Sequence, residues 1–296
     1  MQLPAVFLVL AVALPQTTPT DPLTRARQAY NDRRFDDAIA AAGEAGKLTG
    51  LAEAASLVAA RARLERYREA AVPNEADLSE ARRLLKGLDQ TKLSARDHVE
   101  FLVGLGEALY LENNFGAAEV YFSRALARVG VSDDDTRERI FEWWATTLDH
   151  QAQFGPQAER RPLYTRILAR AEEELARREG SAVASYWLAA AAQGVDDLER
   201  AWGAAHAGWI HAGHLGPRGA QLRADLDRLV RQVILPERAR RLTHEGDPRA
   251  ALDIFLTEWE DFKKRWGRES IVGNSRDSIE EMSREFSTID SRPRTL

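Results

Sequence analysis

Three of the chain's six histidines, His206, His211 and His214, lie within nine residues of one another. Imidazole is the commonest metal-binding side chain, so this cluster is a candidate metal site. On an ideal helix, however, His211 and His214 point roughly 140° and 80° away from His206, which is too wide for one tight metal face. The pair of histidines four residues apart that zinc proteases use is also absent. The spacing therefore favours hydrogen-bonded or solvated histidines, and a metal-binding or enzymatic α-helical protein is the alternative hypothesis.

Two runs of aspartate could hold a hard cation: Asp133, Asp134 and Asp135, and Asp196 and Asp197. Each run comes directly before a segment with helical periodicity. Aspartates in that place accept hydrogen bonds from the free N–H groups of the first turn and face the positive end of the helix dipole. We therefore expect both runs to be helix caps.

Motifs typical of catalysis are absent from the sequence. It contains no phosphate-binding glycine loop, no G-x-S-x-G elbow and no nucleophile beside a plausible base. We expect a protein that is not an enzyme, with no catalytic residue, cofactor or bound metal. The net charge of −5 provides no basic field for nucleic acid. A protein or peptide is therefore the expected partner.

Aromatic side chains are the candidate contacts for such a partner, because exposed aromatics often anchor protein interfaces. The adjacent residues Trp143 and Trp144 cannot face the same way on a helix. We expect one of them in the core and the other either packed between repeats or exposed as an anchor. Together with Tyr110, Trp187 and Trp209, they form the predicted partner-binding set.

The elements that must position these residues are helices. The chain is rich in Ala, Leu, Arg and Glu, which are strong helix formers, and hydrophobic residues make up 44% of it. Apolar residues recur at helical spacing between Gly, Pro and Asn breaks, and no stretch alternates as a strand would. Short connections predict about six antiparallel helix pairs: residues 22–33 with 35–48, 51–71 with 76–89, 95–112 with 115–129, 133–153 with 157–178, 181–193 with 196–213, and 218–235 (continuing to 245) with 248–265.

A small residue followed four positions later by a larger one recurs on the second helices of these pairs. The clearest case is Ala118 with Phe122, and Ala125 continues the stripe. The small residue lets two helix axes approach, and the large one fills the space one turn further on. Related pairs are Ala38 with Ala42, Ala81 with Leu85, Ala201 with Ala205, and Ala251 with Phe255.

In the segment FLVGLGEALYLENNFGAAEVYFSRALARVG this pattern resembles the tetratricopeptide repeat. Leu105 and Gly106 match the L-G pair of that repeat, Ala118 and Phe122 match its A-x3-F pair, and Phe115 stands at a commonly aromatic position. The resemblance implies an all-α, right-handed solenoid over residues 21–266, with a concave surface that binds protein or peptide. Longer two-helix repeats of the HEAT kind remain an alternative.

Both ends of the chain differ from this middle. Residues 3–14 are apolar, too few to span a bilayer, and a small-x-small site ends at Ala13. Residues 1–20 are therefore interpreted as a cleaved export signal with its lead-in, and an uncleaved anchor or a buried first helix is the alternative. Residues 267–296 are polar, with one candidate amphipathic helix that carries Ile279, Met282 and Phe286.

The chain has no cysteine, which excludes disulfides, thiolate metal sites and lipidated cysteine. Together these features predict a periplasmic or secreted, non-enzymatic scaffold that binds a protein or peptide partner. A structural subunit of an envelope complex is a further alternative.

Overall fold

A computed structural model of the chain describes residues 21–130, 133–242 and 247–269. In these ranges the backbone forms α-helices, a short 3₁₀ helix at Gln90–Lys92 and a π-helical segment at Val230–Ile234, without any β-strand. The all-α fold class predicted from the sequence is therefore confirmed. The α-helices, numbered α1 to α13 in chain order, are Pro22–Asn31, Phe35–Ala45, Ala52–Glu69, Glu75–Gly87, Ala95–Leu111, Phe115–Arg128, Asp134–Phe154, Gln157–Arg177, Ala182–Gly194, Leu198–Ala212, Gly216–Leu229, Leu235–Leu242 and Pro248–Glu269.

The predicted helices coincide with the observed ones to within a few residues at most ends. The long helix expected across Pro236 is present, because α11 continues without a break through the π-helical segment Val230–Ile234 into α12. The aspartate caps are confirmed. Asp133 accepts a hydrogen bond from the Thr136 N–H at 3.2 Å, and Asp197 accepts one from the Arg200 N–H at 3.2 Å.

One turn geometry joins three of the helix pairs. It contains a residue in the left-handed region, Arg33 (φ 59°), Asn113 (φ 59°) or Asp196 (φ 79°). The N–H of the next residue donates to a carbonyl five positions back, which is a typical way to end a helix: Arg34 to Ala29 at 2.9 Å, Asn114 to Leu109 at 2.9 Å, and Asp197 to Ala192 at 2.8 Å. Five residues after each left-handed residue comes a fully buried alanine: Ala38, Ala118 and Ala201. The same turn therefore places the small residue of the sequence pattern three times.

The large residues of that pattern are also in the core. Phe122 is 0% exposed and Leu85 is 1% exposed, and Ala125, which continues the stripe after Phe122, is 0% exposed. The last small–large residue pair of the pattern differs from the others, because Ala251 and Phe255 in α13 are only half-buried.

Contacts divide the chain into two compact units, Met1–Ala108 and Leu109–Leu296, with the boundary inside α5. In the first unit α2 packs on α1 and α3, and α3 also packs on α1 and α4. Its interior includes Arg61 of α3, which is only 3% exposed. The Arg61 guanidinium donates to the Tyr30 hydroxyl at 2.9 Å and lies 3.3 Å from carboxylate oxygens of both Glu100 and Glu107.

The Glu107 side chain is fully buried. Burial raises the pKa of its carboxyl group to about 8; the neighbouring Glu65 adds to the rise, and Arg61 opposes it. Gly104, one turn earlier on α5, makes room for the arginine, since a Cβ there would lie 3.0 Å from the Arg61 Cδ.

In the second unit each of α6 to α10 packs on the next helix, and α9 also contacts α7 and α11. The interior near α10 and α13 is aromatic. Trp259 is 0% exposed, and its ring centroid lies 5.6 Å from Trp202, 5.3 Å from His206 and 5.3 Å from Phe262. Its Nε1–H donates to an Asp227 carboxylate oxygen at 2.8 Å.

Among the described helices, none is both long and apolar enough to cross a membrane. The predicted export signal in residues 1–20 lies outside the described residues. The predicted tail, residues 267–296, lies outside them too, apart from the end of α13 at Glu269.

Candidate functional site

Two of the predicted partner-binding residues lie side by side in the second unit. The Tyr110 ring at the end of α5 packs edge-on against Trp143 of α7, with the centroids 5.1 Å apart. Trp143 is half-buried and stacks on the core residue Phe122 at 5.7 Å. The pair therefore links the core to a group of aromatic side chains nearer the surface.

That group is a row of four rings, which we call the aromatic row: Tyr110, His150, Phe115 and Phe154. His150 lies at its centre, with ring centroids 5.3 Å from Tyr110, 5.4 Å from Phe115 and 5.7 Å from Phe154. The Tyr110 hydroxyl is 3.3 Å from the His150 Nδ1, and Phe115 and Phe154 stack nearly parallel at 6.3 Å. Each of the four rings thus contacts at least two of the others.

Local backbone geometry sets the two ends of the row. Asn113 makes the left-handed turn, and the Asn114 side chain caps α6 by accepting from the Ala117 N–H at 3.4 Å, so that Phe115 begins the helix. On the other side α7 ends after Phe154. Only glycine fits at the next position, because a Cβ on Gly155 would lie 2.5 Å from the Gln151 carbonyl oxygen.

Between these ends lies an open cleft of about 500 Å³, which we call the Phe154 cleft. Phe154 is 74% exposed, and it is the only aromatic residue among the large apolar side chains exposed in the described part of the chain. Exposed apolar side chains that lie together are a common sign of a binding site, and Phe154 stacks here on Phe115, which lines the same cleft. The lining residues are Asn113, Asn114, Phe115, Gly116, Gln151, Phe154 and Gly155.

The other three predicted anchors lie away from this cleft. Trp144 is 6% exposed, and its Nε1–H is bonded to the Ser123 hydroxyl at 2.9 Å. Trp187 in α9 is also 6% exposed. Both rings fill the interior, so neither is available as a surface anchor. Trp209 is half-buried beneath Lys263, whose ammonium lies 5.5 Å from the centre of its ring.

The three clustered histidines have separate environments. His206 is 6% exposed, and its Nδ1–H donates to the Trp202 carbonyl at 2.8 Å. Burial lowers the pKa of His206 to about 4, so the ring is neutral at ordinary pH. His211 lies 3.4 Å from the Ser185 hydroxyl, and His214 is exposed. In the ranges that the structure covers, no three His, Asp or Glu side chains are grouped so as to hold a metal ion.

Sequence reasoning missed two residues of the row, His150 and Phe154. Their spacing in the sequence does indicate a shared helix face. One face of α7 carries residues at i, i+4, i+7 and i+11, namely Trp143, Thr147, His150 and Phe154. An aromatic residue directly before a Gly-Pro helix stop, at the end of such a stripe, indicates a ring at the protein surface.

No protein-family model, curated protein or solved structure matches this chain. The candidate function therefore depends on the geometry of the Phe154 cleft.

Proposed function

We propose that this chain is a non-enzymatic binding protein that holds a partner polypeptide at the Phe154 cleft. The observation that carries the proposal is the 74% exposure of Phe154 at the edge of a 500 Å³ cleft. Covering a phenylalanine side chain is worth about 1.5–3 kcal/mol, which is a substantial share of a specific interface.

The contacts of Phe154 within the aromatic row support this proposal. Phe154 packs against Phe115 at 6.3 Å and His150 at 5.7 Å, and these contacts favour the orientation in which the ring borders the cleft. Binding energy gained at a pre-organised site is not offset by the cost of ordering it.

The repeated turn supports a tetratricopeptide-like architecture as part of the same proposal. Left-handed residues at 33, 113 and 196 are each followed at a fixed distance by a buried alanine. A recurring helix–turn–helix unit of this kind is typical of repeat proteins that bind polypeptides. We also propose that the protein acts outside the cytoplasm, on the grounds of the signal-like residues 1–20.

Site-specific photo-crosslinking in cells tests the binding proposal. A photoreactive phenylalanine analogue replaces Phe154, and a second version of the protein carries it at Val72, which is 85% exposed in the first unit. We expect one dominant polypeptide adduct from position 154 that position 72 does not form.

The partner identified in this way is then purified and its affinity for the chain is measured. We expect Phe154→Ser to weaken binding about tenfold or more, and Val72→Ser to leave it unchanged. Equal adducts from both positions, or equal affinity of the Phe154→Ser variant, would contradict a binding role for the cleft.

A further inference from the structure

The side chains that line the Phe154 cleft carry no charge. They comprise two aromatic rings and three amides, with two glycines beside them, in a chain where 29% of residues are charged. Covering an unpaired charge is costly, and this lining offers no counter-ion. A ligand that presents lysine, arginine, aspartate or glutamate to the cleft is therefore disfavoured.

The same lining is rich in hydrogen-bond donors. Asn113, Asn114 and Gln151 each bring an NH₂ group, and the Asn114 oxygen is already used to cap α6. Phe115 and Gly116 are the first residues of α6, where N–H groups have no acceptor within the helix. The helix dipole adds positive potential at this end. The cleft is therefore suited to a ligand that presents carbonyl oxygens and apolar surface.

Proline-bearing segments have both properties. Proline has no N–H to donate, so main-chain carbonyls in a proline-bearing segment are left free to accept hydrogen bonds from the protein. The proline ring also packs well on aromatic side chains. The extended polyproline conformation is largely formed before binding, which reduces the entropic cost. A neutral glycan would also stack on these rings, but the lining has no carboxylate to make strong hydrogen bonds with its hydroxyl groups.

We propose that the Phe154 cleft binds an uncharged, proline-bearing segment of the partner polypeptide in an extended conformation. This inference rests on the proposed function, since it names the kind of polypeptide segment that the same cleft accepts. Phe115 and Phe154 hold the proline rings, and the amides of Asn113, Asn114 and Gln151 donate to the main-chain carbonyls.

Fluorescence anisotropy with defined probes tests the inference on the full chain. The first probe is a labelled peptide of proline, alanine and glutamine. The second has serine in place of every proline, and the third is a neutral glucose hexasaccharide used as competitor. We expect the proline peptide to bind about tenfold or more tightly than the serine peptide, and the glycan not to compete.

Gly116→Leu places an apolar side chain in the cleft, and its Cβ meets no atom within 4 Å. We expect this variant and Phe154→Ser to weaken binding of the proline peptide about tenfold or more. Gly43→Leu is the matched control, since Gly43 is an exposed helical glycine whose Cβ also meets no atom within 4 Å, and it should bind normally.

If the chain bound the proline and serine peptides with equal affinity, and Gly116→Leu abolished both, the preference for proline would be overturned. The proposed function would then still stand. Displacement of the peptide by the glycan would overturn the inference in favour of a sugar site. Binding that survives both Gly116→Leu and Phe154→Ser would overturn the inference together with the proposed site. No peptide binding at all would overturn the inference alone, since the affinity of the crosslinked partner tests the proposed function separately.

Discussion

The interior of residues 21–108 contains a buried arginine, whereas that of residues 109–269 is built around aromatic rings. Arg61 is 3% exposed and contacts Tyr30, Glu100 and Glu107. All seven tryptophans of the chain lie beyond residue 109, and Trp259 is completely buried among other rings. The second unit buries an arginine as well, Arg238 at 6% exposed, but this one lies over the Trp202 and Phe255 rings. The two units therefore differ mainly in how much of the interior is aromatic.

This difference has consequences for stability and for function. A buried ionic group depends on its partners and on pH, because removal of one partner leaves a charge without compensation. Aromatic packing depends mainly on buried area and changes little with pH. In the second unit the rings also continue outward from Phe122 and Trp143 to Phe154, so core packing supports the candidate site directly.

Truncation of the aromatic interior should have the largest effect on stability. We expect Trp259→Ala to lower the free energy of unfolding by about 3–5 kcal/mol, because it leaves a large cavity. Urea unfolding followed by far-UV circular dichroism measures this change. Trp259→Phe keeps a ring against Phe262 and loses the bond to Asp227, so it should cost only about 1–2 kcal/mol. Equal losses in the two variants would show that ring packing is not the main contribution.

Removal of the buried arginine should have the next largest effect on stability. At high pH, where Glu107 is ionised, Arg61→Met should cost about 3 kcal/mol, because it leaves that carboxylate buried without its partner. The double variant Arg61→Met with Glu107→Met should lose less than the single variant in the same urea experiment. Additive losses would mean that the two side chains do not stabilise each other.

The pH dependence of stability should distinguish the two interiors further. Glu107 keeps its proton to about pH 8 in the folded chain, whereas an unfolded glutamate loses it near about pH 4.3. Between these values the folded chain binds the extra proton, so the free energy of unfolding falls as pH rises, by up to about 1.4 kcal/mol per unit. Glutamine mimics the protonated acid, and Glu107→Gln should remove this slope.

Urea midpoints measured between about pH 6 and about pH 9 test this linkage. Glu44→Gln is the control, because Glu44 is exposed and the slope should persist in that variant. A slope that remains in Glu107→Gln would assign the pH dependence to another group.

The smallest effect on stability should come from the left-handed turn geometry that occurs in both units. Arg33 adopts a left-handed conformation that is costly for a residue with a long side chain, whereas asparagine tolerates it better. Arg33→Gly should raise the free energy of unfolding by about 0.5–1 kcal/mol, and Asn113→Gly should change it little. Thermal unfolding measured by calorimetry resolves the difference. A larger gain at Asn113 would show that the side chains, and not the backbone, control these turns.

Most of the helices could be predicted from the sequence because their signals are local. The caps at Asp133 and Asp197 and the buried pair of Ala118 and Phe122 follow from residues a few positions apart. The candidate site was harder to predict. Of the predicted anchors, Tyr110 belongs to the aromatic row and Trp143 packs against it, whereas Trp144 and Trp187 are buried. The prediction did not include His150 and Phe154, which complete the row.

The all-α class, most helix ends and the stripes of small and large residues could be predicted from the amino-acid sequence alone. These depend on backbone propensity, capping and periodicity, which act over a few residues. Local signals do not predict that His206 packs against Trp202 and Trp259, that Glu107 is buried beside Arg61, or that Phe154 remains exposed. Burial depends on which helices meet, and residues far apart in the chain control that contact.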